Sequence, residues 1–170
     1  MNKNRLILTS GLVLVLSLLS IAAVPAARHN QADFSAVSVC DPFKVEPKEV
    51  ANGLRYTGQE QVCSFTASDP QLSGTATYKV YGTLNPKANM AGKLSGFVTI
   101  LNAGGKWEGL WKAKIDNKGN LYIHIKLVGG NGYYGLQAVS KGQRLAGSSI
   151  TTFEGYTYEA TKPVIILPPQ

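Results

Sequence analysis

Apolar and polar residues alternate between Leu94 and Leu127 in three runs separated by turn-forming clusters. Successive side chains of a β-strand point to opposite faces, so this alternation predicts three antiparallel strands with one apolar and one solvated face. The apolar rows are Leu94, Gly96, Val98 and Ile100, then Trp107, Gly109, Trp111, Ala113 and Ile115, then Leu121, Ile123, Ile125 and Leu127. Such a meander is typical of a barrel or a sandwich.

The register of the meander follows from its two turns. A four-residue turn over 102–105 sets the first pairs as Ile100 with Trp107, Val98 with Gly109, and Gly96 with Trp111. A turn over 116–120 sets the next pairs as Ile115 with Leu121, Ala113 with Ile123, and Trp111 with Ile125. We expect this register because a slip of one residue would move every apolar side chain to the solvated face.

Further strands are predicted on both sides of the meander. They cover residues 55–67, 75–84 and 150–160, a strand that bends after a glycine-rich turn near 132, and a short edge strand near Val45. No long amphipathic helix is predicted. We therefore expect an all-β fold, an antiparallel up-and-down barrel of about eight strands, because only closure removes sheet edges. A two-sheet β-sandwich is the alternative. Gly82, Gly96 and Gly109 are expected on the inner face, where a coiled wall and aromatic rings favour a missing side chain.

The N-terminal residues resemble a secretory leader. Lys3 and Arg5 precede an apolar run over 6–24, and Val24-Pro25-Ala26 supplies small residues for cleavage. We expect a signal peptide at 1–26, a secreted or extracytoplasmic protein, and no stable membrane anchor after cleavage. An uncleaved signal anchor is the alternative, because the run could just span a bilayer. Loss of Lys3 and Arg5 lowers the net charge from +7 to +5.

The remaining chain is expected to form one domain. Residues 27–36 are polar and without periodicity, which predicts a flexible mature N-terminus. Residues 37–161 are assigned to a single β-barrel domain, and 162–170 to a C-terminal tail whose apolar residues 164–167 pack across the barrel end. The sequence does not determine the oligomeric state.

Cys40 and Cys63 are the only cysteines, and both follow the predicted leader. An oxidising compartment favours a disulfide between them, which would contribute roughly 3 kcal/mol by the chain-entropy estimate. The alternative is a reactive cysteine. That chemistry needs an activating base, for which the sequence offers only His29 and His124.

The basic residues are spread along the chain, with neither an arginine cluster nor an aromatic ladder. This pattern argues against nucleic-acid binding and favours a solvated surface, while weak attraction to anionic polymers or a cell surface stays open. The sequence has no metal-ligand spacing, no carboxylate cluster and no G-x-S-x-G motif, so we expect neither a metal nor a cofactor. His124 is expected on the outer face, opposite Lys112.

A few residues are candidates for a site inside the barrel. Glu60 and Glu154 are the carboxylates that we expect to reach the interior, where desolvation would perturb their protonation. The candidate ligand-binding residues of the lumen are Tyr78, Trp107, Trp111 and Tyr156. The alternatives are that the aromatics are core and that the carboxylates face water.

Two segments resemble a known family. These are Gly105 to Trp111, a W-x-G-x-W strand, and Leu127 to Leu136, a glycine-rich turn with Tyr133 and Tyr134. With the turn residues of 68–75, they are similar to secreted bacterial proteins that have allene oxide cyclase-like, calycin-like barrels. The resemblance covers roughly 63–160. It implies a barrel fold and, for some members, a cyclase or isomerase acting in the lumen, whereas others have no assigned activity; it transfers no catalytic residue.

Three functions remain as hypotheses. The first is a secreted barrel without catalysis that binds a small apolar or amphipathic molecule in its lumen or serves as an extracellular module. The second is a lumenal isomerase or cyclase of the allene oxide cyclase-like type. The third is an adhesive or carbohydrate-contacting domain that uses exposed Tyr133 and Tyr134. The missing catalytic motif favours a protein that is not an enzyme. An open lumen with an inward carboxylate would favour catalysis.

Overall fold

The computed structural model describes residues 31–51 and 53–160, which contain nine β-strands and two short 3₁₀ turns. The predicted leader at 1–26 and tail at 162–170 lie outside the described residues. The strands are β1 Ala32–Cys40, β2 Lys48–Val50, β3 Gly53–Ala67, β4 Gly74–Asn85, β5 Ala91–Asn102, β6 Gly105–Ile115, β7 Leu121–Gly130, β8 Leu136–Arg144 and β9 Ile150–Glu159. The 3₁₀ turns are Pro70–Leu72 and Pro86–Ala88.

Eight of these strands close into an up-and-down barrel. From β3 to β9 each strand pairs antiparallel with the next, β9 pairs with β1, and β1 pairs with β3. The short β2 adds to one end of β3. Closure gives the strands of the wall two neighbours each, so the barrel avoids the exposed edges of an open sheet. The predicted barrel is confirmed, and the sandwich alternative is wrong.

The register predicted for the meander is confirmed in all six pairs. Ile100 lies opposite Trp107 and Trp111 lies opposite Ile125, as the coincidence of apolar faces required. The first turn is shorter than expected, because Asn102 pairs with Gly105 and only residues 103–104 connect the strands. This change leaves the register intact, since it adds one pair at the end of the same ladder.

Two of the predicted inner glycines allow neighbouring strands to approach closely. A Cβ atom on Gly96 would lie 1.8 Å from the carbonyl oxygen of Lys79, and one on Gly109 would lie 1.8 Å from that of Lys126. The same Cβ on Gly96 would be 3.2 Å from Nε1 of Trp111. The coiling of the wall is therefore the main reason for these glycines, and the aromatic ring is secondary.

The prediction that 27–36 is flexible is wrong for the described residues, because β1 begins at Ala32. Phe34, Ala36 and Ser38 point inward and are buried, whereas Val37 and Val39 are exposed on the outer face. Beyond Phe34 the inner row thus holds only a small and a polar residue, Ala36 and Ser38, while the valines of this strand face outward. The barrel consequently includes β1 from Ala32, and the predicted domain start at 37 is too late.

The edge strand expected near Val45 is also misplaced. Val45 is exposed in a bend, and β2 begins only at Lys48, after Pro47. Proline cannot donate to a strand ladder, so pairing with β3 begins beyond it. The segment 41–47 is left as a loop over one end of the barrel.

The predicted disulfide joins the two strands that close the barrel. Cys40 and Cys63 lie directly opposite each other on β1 and β3, with their Cα atoms 3.9 Å apart and a bond between their sulfur atoms. The ladder between β1 and β3 contains five residue pairs, against eight between β1 and β9. The covalent bond therefore reinforces the shorter of the two ladders of β1.

One end of the barrel, here called the plugged end, is filled by side chains. Leu72 from the first 3₁₀ turn is fully buried, and so is Trp107, whose Nε1 donates to the carbonyl oxygen of Gln71 at 2.8 Å. The ring of Trp107 stacks on Tyr133 with centroids 5.3 Å apart. These contacts leave the opposite end, here called the cavity end, as the place for an internal cavity.

Candidate functional site

A cavity of about 200 Å³ lies inside the barrel at the cavity end. Its wall is mostly apolar because the inward rows of β3 to β9 carry aromatic and aliphatic side chains. The residues that define it include Tyr56, Tyr78, Val80, Leu84, Trp111 and Phe153. Phe43, Met90, Leu121 and Arg144 lie near its rim. The barrel interior is therefore filled at one end and partly empty at the other.

Tyr78 lines the cavity and carries a buried hydroxyl. The residue is 6% exposed, and its hydroxyl oxygen has no hydrogen-bond partner among the described residues. Its ring meets Trp111 edge-on, with centroids 5.7 Å apart. Desolvation by burial raises the pKa of this hydroxyl well above its usual range, so it stays protonated and can donate. An unsatisfied buried hydroxyl costs about 1–3 kcal/mol.

A loop and a second tyrosine cover part of the rim. Phe43 in the 41–47 loop packs on Tyr56 with ring centroids 5.3 Å apart. Burial and, to a lesser extent, the carboxylate of Glu46 raise the pKa of Tyr56. Nε2 of Gln61 donates to the carbonyl oxygen of Asp41 at 3.1 Å, which fastens the start of this loop to β3. The rim is thus held by contacts between the loop and β3.

Arg144 brings a positive charge to the rim. It is the last residue of β8, is half-buried, and lies opposite Leu121. The described residues place no carboxylate within ion-pair distance of its guanidinium; the pairs found there are Lys79 with Glu60 and Lys106 with Glu108. Sequence reasoning missed this residue, although it continues the inward row of Ala138, Ser140 and Gly142.

The aromatic residues predicted to line the lumen lie in three places: the cavity, the plugged end and the outer face. Tyr78 and Trp111 point inward and line the cavity, as expected. Trp107 also points inward, but it belongs to the plugged end. The indole of Trp111 donates to the carbonyl oxygen of Phe97 at 3.0 Å, so both tryptophans have their polar atoms satisfied within the wall. Tyr156 is wrong as a lumen residue: it lies on the outer face and is 36% exposed.

Neither predicted carboxylate reaches the interior. Glu60 is exposed and its Oε1 lies 3.6 Å from Nζ of Lys79 on the outer face. A β-bulge between Thr57 and Gln59, with Gly58 at a φ of 106°, shifts the alternation so that Tyr56 and Glu60 face opposite sides. The expectation that Glu60 reaches the interior is therefore wrong.

Glu154 is outside for a different reason. The buried row of β9 contains Thr151, Phe153 and Thr157, whereas Glu154 lies on the exposed row with Ile150. Because two threonines are inside and an isoleucine is outside, the hydrophobicity pattern does not identify the inner face of β9. The expectation of an inward carboxylate is wrong here too.

The remaining candidates lie on the surface or in the plug. His124 is exposed opposite Lys112, as predicted. Tyr133 is buried, and its hydroxyl donates to Oδ1 of Asn102 at 2.7 Å, whereas Tyr134 is 76% exposed. The pair of exposed tyrosines expected for an adhesive surface is therefore reduced to one.

The described ranges contain no group of three His, Cys, Asp or Glu side chains arranged to hold a metal ion. Within the same ranges, no helix is long and apolar enough to cross a membrane.

Fold and cavity together define a closed, eight-stranded antiparallel barrel with one plugged end and one end that holds an internal cavity. Comparison of the chain with protein families, with curated proteins and with solved structures finds no match. The resemblance to allene oxide cyclase-like barrels therefore stays a prediction.

Proposed function

We propose that this barrel binds a small, mainly apolar molecule that carries a hydrogen-bond acceptor, within the cavity at the cavity end. The observation that carries the proposal is the hydroxyl of Tyr78, which is buried in the cavity wall without a partner among the described residues. Buried polar groups in native proteins are almost always satisfied, so a donor without a partner on a residue that lines the cavity indicates a missing acceptor. A bound molecule would supply it.

The size of the cavity limits the ligand. A cavity of about 150 Å³ lined by apolar side chains holds a benzene-sized guest, and drug-sized ligands need about 300 Å³ or more. At about 200 Å³ the present cavity accommodates a single ring or a short branched chain. Its aromatic and aliphatic lining favours an apolar body, with the polar group directed towards Tyr78.

Binding without conversion is the function that the lining supports best. Proton transfer to or from a substrate usually needs a histidine, carboxylate or other group with a pKa near the working pH. The described lining has neither a histidine nor a carboxylate, and the pKa of Tyr78 is moved away from neutrality. The lumenal isomerase or cyclase is therefore the less favoured proposal.

The proposed place of action is outside the cytoplasm. The disulfide between Cys40 and Cys63 is the type of bond that persists in oxidising compartments. Together with the leader predicted at 1–26, it supports secretion as part of the proposal.

The decisive experiment is native mass spectrometry of the protein purified from its own source, followed by identification of released small molecules. We expect a co-purifying compound with an apolar body and an acceptor group, and a raised unfolding temperature when it is added back. A barrel with no bound compound, and no thermal shift across a panel of monocyclic and short-chain ketones, esters and acids, would overturn the proposal.

A further inference from the structure

The outer faces of β5 to β8 carry an excess of positive charge. Glu108 is the only carboxylate on these faces, and its Oε2 already lies 3.0 Å from Nζ of Lys106. Five exposed lysines share the same surface and have no ion pair with any described carboxylate. We call this surface the basic face; its lysines are Lys93, Lys112, Lys114, Lys126 and Lys141.

The strand register brings like charges together on the basic face. Lys93 lies directly opposite Lys114 across β5 and β6. Lys112 and Lys141 lie on either side of His124, and Lys141 has Glu154 of β9 opposite it on its other side. Like charges in directly opposite positions destabilise a sheet, so the pairing of Lys93 with Lys114 does not serve the stability of the wall. It creates a site where an anion would relieve the repulsion.

Two exposed tyrosines lie beside these lysines, Tyr122 on the basic face and Tyr81 on the adjacent β4. Tyr81 and Tyr122 are 38% and 41% exposed, and they line one shallow outer groove together with Lys93, Lys112, Lys114 and His124. Tyrosine rings on a surface offer flat apolar contact area beside a polar hydroxyl. Sugar rings present flat C–H faces between hydroxyl groups, which match this combination.

We propose that the basic face binds an acidic linear polysaccharide that bears carboxylate or sulfate groups. The groove that Lys93, Lys112 and Lys114 line is concave, so a flexible chain follows it better than a flat lipid surface does. The disulfide between Cys40 and Cys63 is typical of oxidising compartments, so the proposed polysaccharide is one met outside the cytoplasm. The site is separate from the cavity and does not depend on the function proposed for it.

The test compares two variants that lose the same charge. The first is Lys93→Gln/Lys112→Gln/Lys114→Gln on the basic face. The second is Lys44→Gln/Lys48→Gln/Lys118→Gln, which removes three exposed lysines elsewhere. Polygalacturonate is the probe and neutral dextran the negative control, with affinity measured across a salt series. We expect the basic-face variant to lose at least about tenfold in affinity for polygalacturonate and most of the salt dependence, and the control variant to lose far less.

The outcomes separate the proposal from its rivals. Equal weakening in both variants would show attraction to net charge alone and overturn the site. Failure of the unmodified protein to prefer polygalacturonate over dextran would do the same. Binding of single-stranded DNA or of phosphatidylglycerol vesicles through the same lysines, without binding of polygalacturonate, would overturn the glycan assignment. The basic-face variant should unfold at a temperature equal to or above that of the unmodified protein, since the repulsion is relieved.

Discussion

Tyr78 is the residue at which stability and binding are expected to conflict. A phenylalanine there keeps the edge-on contact with Trp111 and removes a hydroxyl that has no partner among the described residues. We expect Tyr78→Phe to leave the ligand-free protein equally stable or more stable by up to about 3 kcal/mol, and to weaken ligand binding by about five- to tenfold. Urea unfolding and ligand titration measure the two effects.

The matched control for this prediction is Tyr122→Phe on the outer face, which should change neither quantity. A loss of more than about 1 kcal/mol in Tyr78→Phe would mean that the hydroxyl has a structural partner.

The same hydroxyl predicts an alkaline instability. Burial raises the pKa of Tyr78 in the folded protein above that of an exposed tyrosine, about 10. The folded state therefore holds this proton more tightly than the unfolded state. The contribution to stability is fully present below pH about 10 and is lost as the pH rises further, at up to about 1.4 kcal/mol per pH unit.

Urea unfolding midpoints measured between pH 8 and 11 test whether stability falls as the pH rises, because this range brackets the ordinary tyrosine pKa of about 10. We expect the decline to be less steep in Tyr78→Phe than in the unmodified protein. If stability fell equally steeply with pH in both proteins, the pKa of Tyr78 would not be raised in the folded state.

Prediction from the sequence succeeded for large apolar side chains in strands whose alternation is regular. Tyr78, Trp107 and Trp111 alternate in uninterrupted strands, and all three point inward as expected. It failed for Glu60, because a single bulged residue reverses the alternation and leaves only a glycine as its signal. The cavity itself depends on volumes left between inward rows, which no single-residue pattern encodes.

At the scale of elements, Asn102 joins the first 3₁₀ turn to the β5–β6 turn and to the loop before β8. Its Nδ2 donates to the carbonyl oxygens of Gln71 and Ser73 at 2.9 and 2.8 Å. Its Oδ1 accepts from the hydroxyl of Tyr133, and also from two backbone N–H groups of the following turn at 3.0 and 3.1 Å. One amide thus satisfies polar groups from the 3₁₀ turn, the β5–β6 turn and the loop before β8.

We expect Asn102→Ala to destabilise the protein by about 2–4 kcal/mol, because several partly buried groups lose their partner at once. Asn117→Ala is the control: it lies in an exposed turn and should change stability by less than about 0.5 kcal/mol. Guanidinium unfolding measures both. A small effect at Asn102 would mean that water replaces the amide.

The β1–β3 pairing makes a second prediction at this scale. Cys40→Ala/Cys63→Ala should lower the free energy of unfolding by roughly 3 kcal/mol, in line with the loop closed by the disulfide. Hydrogen exchange should rise first in residues 36–40, because β1 has only five pairs with β3. Adding a reductant should destabilise the unmodified protein and leave the variant unchanged. Unaltered exchange in β1 would show that its pairing with β9 suffices.

At the scale of the whole molecule, the barrel could be predicted from the sequence, but β1, the strand that closes it, could not. The meander from Leu94 to Leu127 has uninterrupted alternation and short turns, so its register could be derived and is confirmed. The closing strand β1 has Ala36 and Ser38 inside and valines outside, so local hydrophobicity gives no signal. Its position depends on pairing with β3 and β9, which are distant in sequence.

The proposed cavity site and the basic face should be separable in one molecule. Leu121 is partly buried at the cavity rim, so Leu121→Trp should extend an indole into the empty space. We expect this variant to bind the cavity ligand at least about tenfold more weakly, while filling a void leaves the ligand-free stability within about 1 kcal/mol. Its affinity for polygalacturonate should be unchanged.

Leu101→Trp is the control, because Leu101 is 54% exposed on the outer wall, away from the cavity lining. Titration of each protein with the co-purified ligand and with polygalacturonate gives the comparison. Undiminished ligand binding in Leu121→Trp would place the ligand outside the cavity. Loss of both affinities in a folded variant would show that the cavity and the wall are coupled, since a change at one rim position would then alter a surface formed by four strands.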